Sequence, residues 1–142
     1  MFKNYIVMSK IKFFHLWAKV KAKDNKDHYV TVVGKLVQTR KKENITEIVP
    51  IEFKPGHFVN GELKYSIKKL NRKLTLGIAI CHPMDKFDEE VGCEIAKARI
   101  EKGQDAGTIE TSDVTMLTED AIMAELLTKL QYVTNNINDF LS

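Results

Sequence analysis

Apolar and polar positions alternate with a period of two through much of the first 80 residues, then change to a period near 3.6. Ile11 to Val20 is rich in aromatic and β-branched residues and reads as a strand. Within it Phe14, Leu16, Ala18 and Val20 share one face, and Phe13, His15, Trp17 and Lys19 the other. The first set makes the better core face, which leaves Trp17 available for stacking. Asp24 to Asp27 is a polar turn. Tyr29 to Thr39 is the clearest strand, with Val30, Val32 and Leu36 on one side and Tyr29, Val33 and Val37 on the other. Lys41 to Asn44 predicts a turn, and Ile45 to Phe53 a strand whose Pro50 suggests an edge or a bulge. Lys54 to Gly61 predicts a loop from its Pro-Gly and Asn-Gly pairs. Glu62 to Lys69 and Lys73 to Cys81 then form a hairpin around Asn71 and Arg72. Short connections between sequential strands predict an antiparallel meander of about five strands.

The helical period begins after Cys81. Asp85 predicts an N-cap, Phe87, Val91, Ile95 and Ala98 the apolar stripe, and Gly103 the left-handed stop. Gln104 to Met116 reads as a loop with one short strand. Thr118 predicts the cap of a second helix running to Leu141, with Ile122, Leu126, Leu130, Val133 and Ile137 as its stripe. Unbroken, that helix measures about 36 Å. Its length suggests that part of its face meets a second copy of the chain, as a homodimer or higher homo-oligomer. The expected class is α+β: an antiparallel sheet followed by two helices, the C-terminal one long. Residues 1–82 are mainly β and 83–142 mainly α, in a single domain of 142 residues.

Composition narrows the setting. No apolar run approaches the ~20 residues of a membrane span, and the N-terminus MFKNYIVMSKIKFF does not resemble a signal peptide. Two cysteines, Cys81 and Cys93, make no disulfide framework, so the expected setting is cytoplasmic. Residues 1–80 hold 17 Lys or Arg against 6 Asp or Glu, while residues 81–142 hold 5 against 13. Such halves either pack together and neutralise each other, or present an anion-binding face. Only Arg40, Arg72 and Arg99 are arginines, and the lysine surplus suits diffuse electrostatics more than base reading.

The sharpest local signal lies between Gly77 and Gly103. Pro83 stops the strand and disfavours helix at His82. Gly92, inside a helix, costs about 1 kcal/mol against Ala. It therefore implies close approach to a backbone, a ring or a ligand, and Ala96 keeps the same line small. Arg99 ends that line, where it either pairs with an acid or grips a phosphate. The order Cys81-x-Pro83-x-Asp85-x-Phe87-Asp88, followed by Gly92, Ala96 and Arg99, resembles a junction found in small proteins of phages of Gram-positive bacteria. Among these are the Thoeris anti-defence proteins, which sequester a cyclic ADP-ribose signal. The resemblance covers about 25 residues. It implies an antiparallel sheet with two extended helices and a phage-encoded, non-enzymatic sponge for a small cyclic nucleotide, with no cofactor. Ligand contacts are then expected from Arg99, Phe87, Gly92, Ala96 and His82. Arg40, Arg72 and Trp17 are added from the charge and aromatic content of the sheet.

Other chemistries are weighed from the residues themselves. Cys81, His82, Cys93 and His57 match no zinc spacing, so no metal is expected. Cys81 and His82, adjacent in an extended segment, point apart and make no nucleophile–base pair. Asp85, Asp88, Glu89 and Glu90 are helix-start residues before they are paired catalytic acids. Phe13, Phe14, Trp17 and Tyr29 among Lys10, Lys12, Lys19, Lys21 and Lys35 keep single-stranded nucleic acid open as an alternative partner. Inhibition of a host defence enzyme through the acidic C-terminal half is a third reading.

Overall fold

A computed structural model describes residues 5–112 and 116–141, the side chains of 5–8 excepted. Residues 113–115 of the predicted loop and the first four residues of the N-terminus lie outside the described residues. Four strands form one antiparallel sheet in the order β1-β2-β3-β4: β1 Tyr5–Lys21, β2 Asp27–Lys54, β3 His57–Cys81 and β4 Gly107–Thr111. The helices are α1 Glu89–Glu101, α2 Glu119–Asn135 and the four-residue α3 Ile137–Phe140. The α+β class and the antiparallel meander therefore hold, with fewer and much longer strands than the sequence suggested.

Two predicted breaks are absent, and the loop expected over Lys54 to Gly61 narrows to a turn at Pro55-Gly56. Lys41 to Asn44 stays in β2, and both Gly61 and Asn71-Arg72 stay in β3. Polar composition alone does not turn a chain whose backbone groups are all paired. Across the sheet, Arg72 donates to Gln38 at 3.2 Å and Asn71 to Glu110 at 2.8 Å, so these turn-like residues bond laterally. Gly61 remains extended because the Ile51 side chain lies over it; a Cβ there would sit 2.0 Å from Ile51 Cδ1. The real turns occur where φ is positive, at Asn25 (62°) between β1 and β2 and at Gly56 (78°) between β2 and β3.

Helices cover the body of the sheet on both faces. Phe14, Leu16, Ala18 and Val20 of β1, with Val30, Val32, Leu74 and Leu76, pack against α2. The expected α2 stripe is buried in full: Ile122, Leu126, Leu130, Val133 and Ile137. Each large side chain fully buried there contributes roughly 1.5–3 kcal/mol. Thr118 caps α2 as expected, accepting from Ala121 N at 3.3 Å. The single long C-terminal helix is not observed. It breaks at Asn136, whose side-chain amide donates to Tyr132 O at 2.8 Å, and the chain resumes as α3.

On the opposite face lies α1, over Val33 and Ala79. Its start corrects the sequence reading: residues 82–85 make a turn, with Asp85 N–H on His82 O at 2.9 Å, and Asp88 is the cap. Gly103 does take the left-handed conformation expected after the helix. The expected stripe also moves. Val91 and Ile95 are exposed, while Cys93 and Ala96 are buried and Ile100 packs beside them. Small residues face the sheet because α1 sits so close to it: a Cβ on Gly77 would lie 2.5 Å from Ala96 O.

Charge segregation is partly resolved by packing. Lys12 reaches Glu119 at 2.6 Å, Lys35 reaches Glu101 at 2.5 Å, and the His15 ring meets Glu89 at 2.7 Å. In each pair a residue of the basic sheet meets an acid of the helical half.

Among the described residues, neither β1 nor β4 accompanies the hairpin beyond residue 43 of β2 and before residue 72 of β3. β2 and β3 continue as a two-stranded arm, paired from Asn44↔Ser66 to Lys54↔His57. Eleven residues at about 3.3 Å each make it roughly 35 Å long.

Candidate functional site

The strand-to-helix junction forms a cavity of about 310 Å³ whose lining includes Thr31, Cys81, His82, Asp85, Phe87 and Gly92. β3 supplies Cys81, the turn supplies His82 and Asp85, and the extended pair Lys86-Phe87 leads into the Asp88 cap. Phe87 leans back onto the sheet. Its ring stacks on Tyr29, with centroids 4.4 Å apart and planes 8° from parallel, and Trp17 meets it at 4.9 Å. Trp17 is still 44% exposed. The face of β1 expected to be open for stacking thus carries an aromatic cluster closed on one side by Phe87.

Packing accounts for the small residues. A Cβ on Gly92 would lie 2.6 Å from Thr31 Oγ1, and Ala96 is fully buried. Both allow α1 to rest on the sheet, although Gly92 also lines the cavity. Among the described residues Arg99 pairs with no acid. Its Nη1 donates to Ile78 O at 2.6 Å. β4 pairs with β3 over Arg72–Leu76, so among the described residues no strand flanks the next residues of β3 on that side, and the guanidinium caps the open edge.

Electrostatics at the junction run against a phosphate on the helix start. The N–H groups of Glu90 and Val91 are taken by Asp88, at 2.9 and 3.3 Å. Glu89 and Glu90 add negative charge there. Asp85 and Asp88 face one cation, Lys86, in the cavity lining. His82 is exposed and uses Nδ1 to accept from Met84 N–H at 3.2 Å. Burial, reinforced by the Asp85 charge, pushes the Cys81 thiol up, and burial does the same for Cys93. Both cysteines are thereby held in the protonated, weakly nucleophilic form. Across the helix start, a groove of about 540 Å³ runs over Phe13, His15, Glu94 and Lys97, with Lys97 Nζ 4.5 Å from the Phe13 ring centroid.

The eight residues singled out from the sequence do not converge. His82, Phe87 and Gly92 line the junction cavity; Trp17 joins through the aromatic contact. Ala96 is under the helix and Arg99 is at the sheet edge. Arg72 lies on the α2 side, bonded to Gln38 and to Met116 O at 3.2 Å. Arg40, two residues along from Gln38, shares that side by strand alternation and is exposed. Strand parity decides this, since Arg72 and Arg40 share the parity of Leu74 and Val32 rather than of Thr31.

Sequence reasoning passed over a basic belt. At the root of the arm Lys41 pairs with Lys69 and Lys42 with Lys68, directly across the strands. Like charges placed so are destabilising unless an anion answers them. Glu43 answers Lys69 in part, at 3.6 Å. A cleft of about 770 Å³ opens beside Lys41, Lys68, Lys69 and Asn71. The two Lys-Lys doublets were the available signal, but their pairing needed the register. Among the described residues no group of three His, Cys, Asp or Glu is arranged to hold a metal. His57 lies at the arm tip, at the other end of β3 from Cys81. No helix of the described residues is long and apolar enough to cross a membrane.

No family model, curated protein or solved structure matches the chain.

Proposed function

We propose that the protein is a non-catalytic binder of a small cyclic nucleotide signal, the cyclic ADP-ribose class, which it sequesters intact as a phage anti-defence protein. One observation carries the reading: five residues of the phage-type motif, Cys81, Asp85, Phe87, Asp88 and Gly92, line a single cavity of about 310 Å³. That volume stands at the small end of ligand pockets. Asp85 and Asp88 suit ribose hydroxyls and an exocyclic amine, as acceptors. The Phe87 ring suits the base, and Lys86 is the cation at the rim for phosphate. Arg99 is a support of the sheet edge in this scheme, not a phosphate clamp.

Differential scanning fluorimetry with cyclic ADP-ribose isomers tests it. At 100 times the Kd the ligand adds about 2.7 kcal/mol of stability. Phe87→Ala removes the shift, and heating the complex returns the ligand uncleaved. A cleaved product, or no shift with any isomer, rejects the sponge.

The belt of Lys41, Lys42, Lys68 and Lys69 favours a second reading, single-stranded nucleic acid. Steeply salt-dependent binding of an oligonucleotide, lost in Lys42→Glu with Lys68→Glu, would establish that reading instead.

A further inference from the structure

The arm has two unlike faces. Cross-strand pairing puts Ile45 with Tyr65, Val49 with Gly61, and Ile51 with Val59 on one face, with Leu63 opposite Glu47. Ile51, Val59, Leu63 and Tyr65 there are 37–50% exposed. On the other face stand Thr46 with Lys64, Ile48 with Glu62, Pro50 with Asn60 and Glu52 with Phe58. One face is therefore apolar along its length, and the other is mostly polar. The single acid on the apolar face, Glu47, accepts the Tyr65 hydroxyl at 2.8 Å, which lets it lie flat among its neighbours.

An isolated two-stranded ribbon is marginal in water. A ribbon with one face apolar along its length is built to be covered on that side. Among the described residues, the strand side chains packed against α1 and α2 lie in the body of the sheet, up to Leu36 on β2 and from Leu74 on β3. From Asn44 to Ser66 the arm holds Lys54 and Lys64 against Glu47, Glu52 and Glu62. That balance offers nothing to a nucleic acid or to an anionic lipid surface.

We infer that the arm is a dimerisation element whose apolar face packs against the same face of a second copy of this chain. Two-fold packing requires a self-complementary, nearly uncharged patch, and this face is one. A second copy is also the partner present whenever the chain is made, which a ribbon this exposed requires. Two such faces, stacked at the ~10 Å spacing of packed sheets, remove on the order of 1,000 Å² from water, where specific interfaces begin. The surface differs from the α2 face suggested by helix length, and the inference is independent of the nucleotide reading.

Sedimentation velocity at micromolar concentration tests it. The wild type is expected at twice the 16.3 kDa chain mass. Ile51→Lys with Leu63→Lys is expected at one chain mass, with an unchanged far-ultraviolet circular dichroism spectrum. Thr46→Lys on the opposite face and Leu127→Lys on α2 remain dimeric. Leu63→Ser, which adds no charge, weakens the dimer at least tenfold in Kd, so the test survives misfolding of the double variant. A monomeric wild type overturns the inference, whether or not it binds vesicles or oligonucleotides. So does a dimer that persists in both arm variants.

Discussion

The body of the sheet and the arm are made from the same two strands, yet they stand in opposite environments. In the body, β2 and β3 are flanked by β1 and β4 and sandwiched by helices, and Val30, Val32, Val33 and Leu74 have no exposed surface. In the arm the same strands carry Ile48 at 65% exposure and Phe58 at 60%. Continuous backbone pairing is therefore not what makes a strand stable here. Side-chain cover does, and the described residues supply that cover for only part of the strands' length.

Substitutions should separate the two regions most clearly at the core. Leu126→Ala is expected to cost about 3 kcal/mol in chemical denaturation, because Leu126 fills the space over Gly34 and leaves a cavity behind. Ile48→Ala on the arm is expected within about 0.5 kcal/mol of wild type. Equal losses at the two sites would erase the distinction.

Close packing of α1 sets the next effect. Gly77→Ala drives a methyl into the Ala96 carbonyl and is expected to cost about 2 kcal/mol, within the range for overpacking. Gly92→Ala meets the shorter obstacle of Thr31 Oγ1; helix preference returns about 1 kcal/mol, leaving a net loss of roughly 1. Adding Thr31→Ala should restore part of that loss, a non-additivity readable in a double-mutant cycle. Purely additive losses would mean that the contact does not limit α1.

The smallest effect is electrostatic. The hydrogen bond and charge of Lys12 hold the Glu119 carboxyl below its usual range. A depressed folded value stabilises the protein above the ordinary carboxylate pKa, and the gain disappears as the pH falls through the folded value. Both groups are exposed, so Lys12→Met should lower the melting temperature slightly at neutral pH and not at all in strong acid or high salt. A difference that persists in acid would point to packing of the Lys12 stem instead.

How much was legible varies by element. The β1 core face and the α2 stripe were readable because each obeys one period against one buried surface. The α1 stripe was misread because its sheet-facing residues, Gly92, Cys93 and Ala96, carry little hydrophobicity; their small size is the signal. The breaks placed at Lys41 and Asn71 failed, and the loop over Lys54 to Gly61 narrowed to Pro55-Gly56, because side chains across the sheet, Ile51 and Glu110 among them, make the remaining positions good strand. At the junction, Cys81, Asp85, Phe87, Asp88 and Gly92 of the motif line one cavity. Arg99 bonds Ile78 O at the sheet edge, a contact that only the tertiary structure reveals.

By itself the sequence determined which segments are extended, where the period changes, and which face of β1 and α2 is buried. Local alternation and capping carry that information. Tertiary structure alone decided that β2 and β3 outrun their neighbours, that Arg72 and Arg99 fall on different sides, and that lysines meet across the arm's root. Those outcomes depend on register, and register is fixed by pairing between residues far apart in the chain.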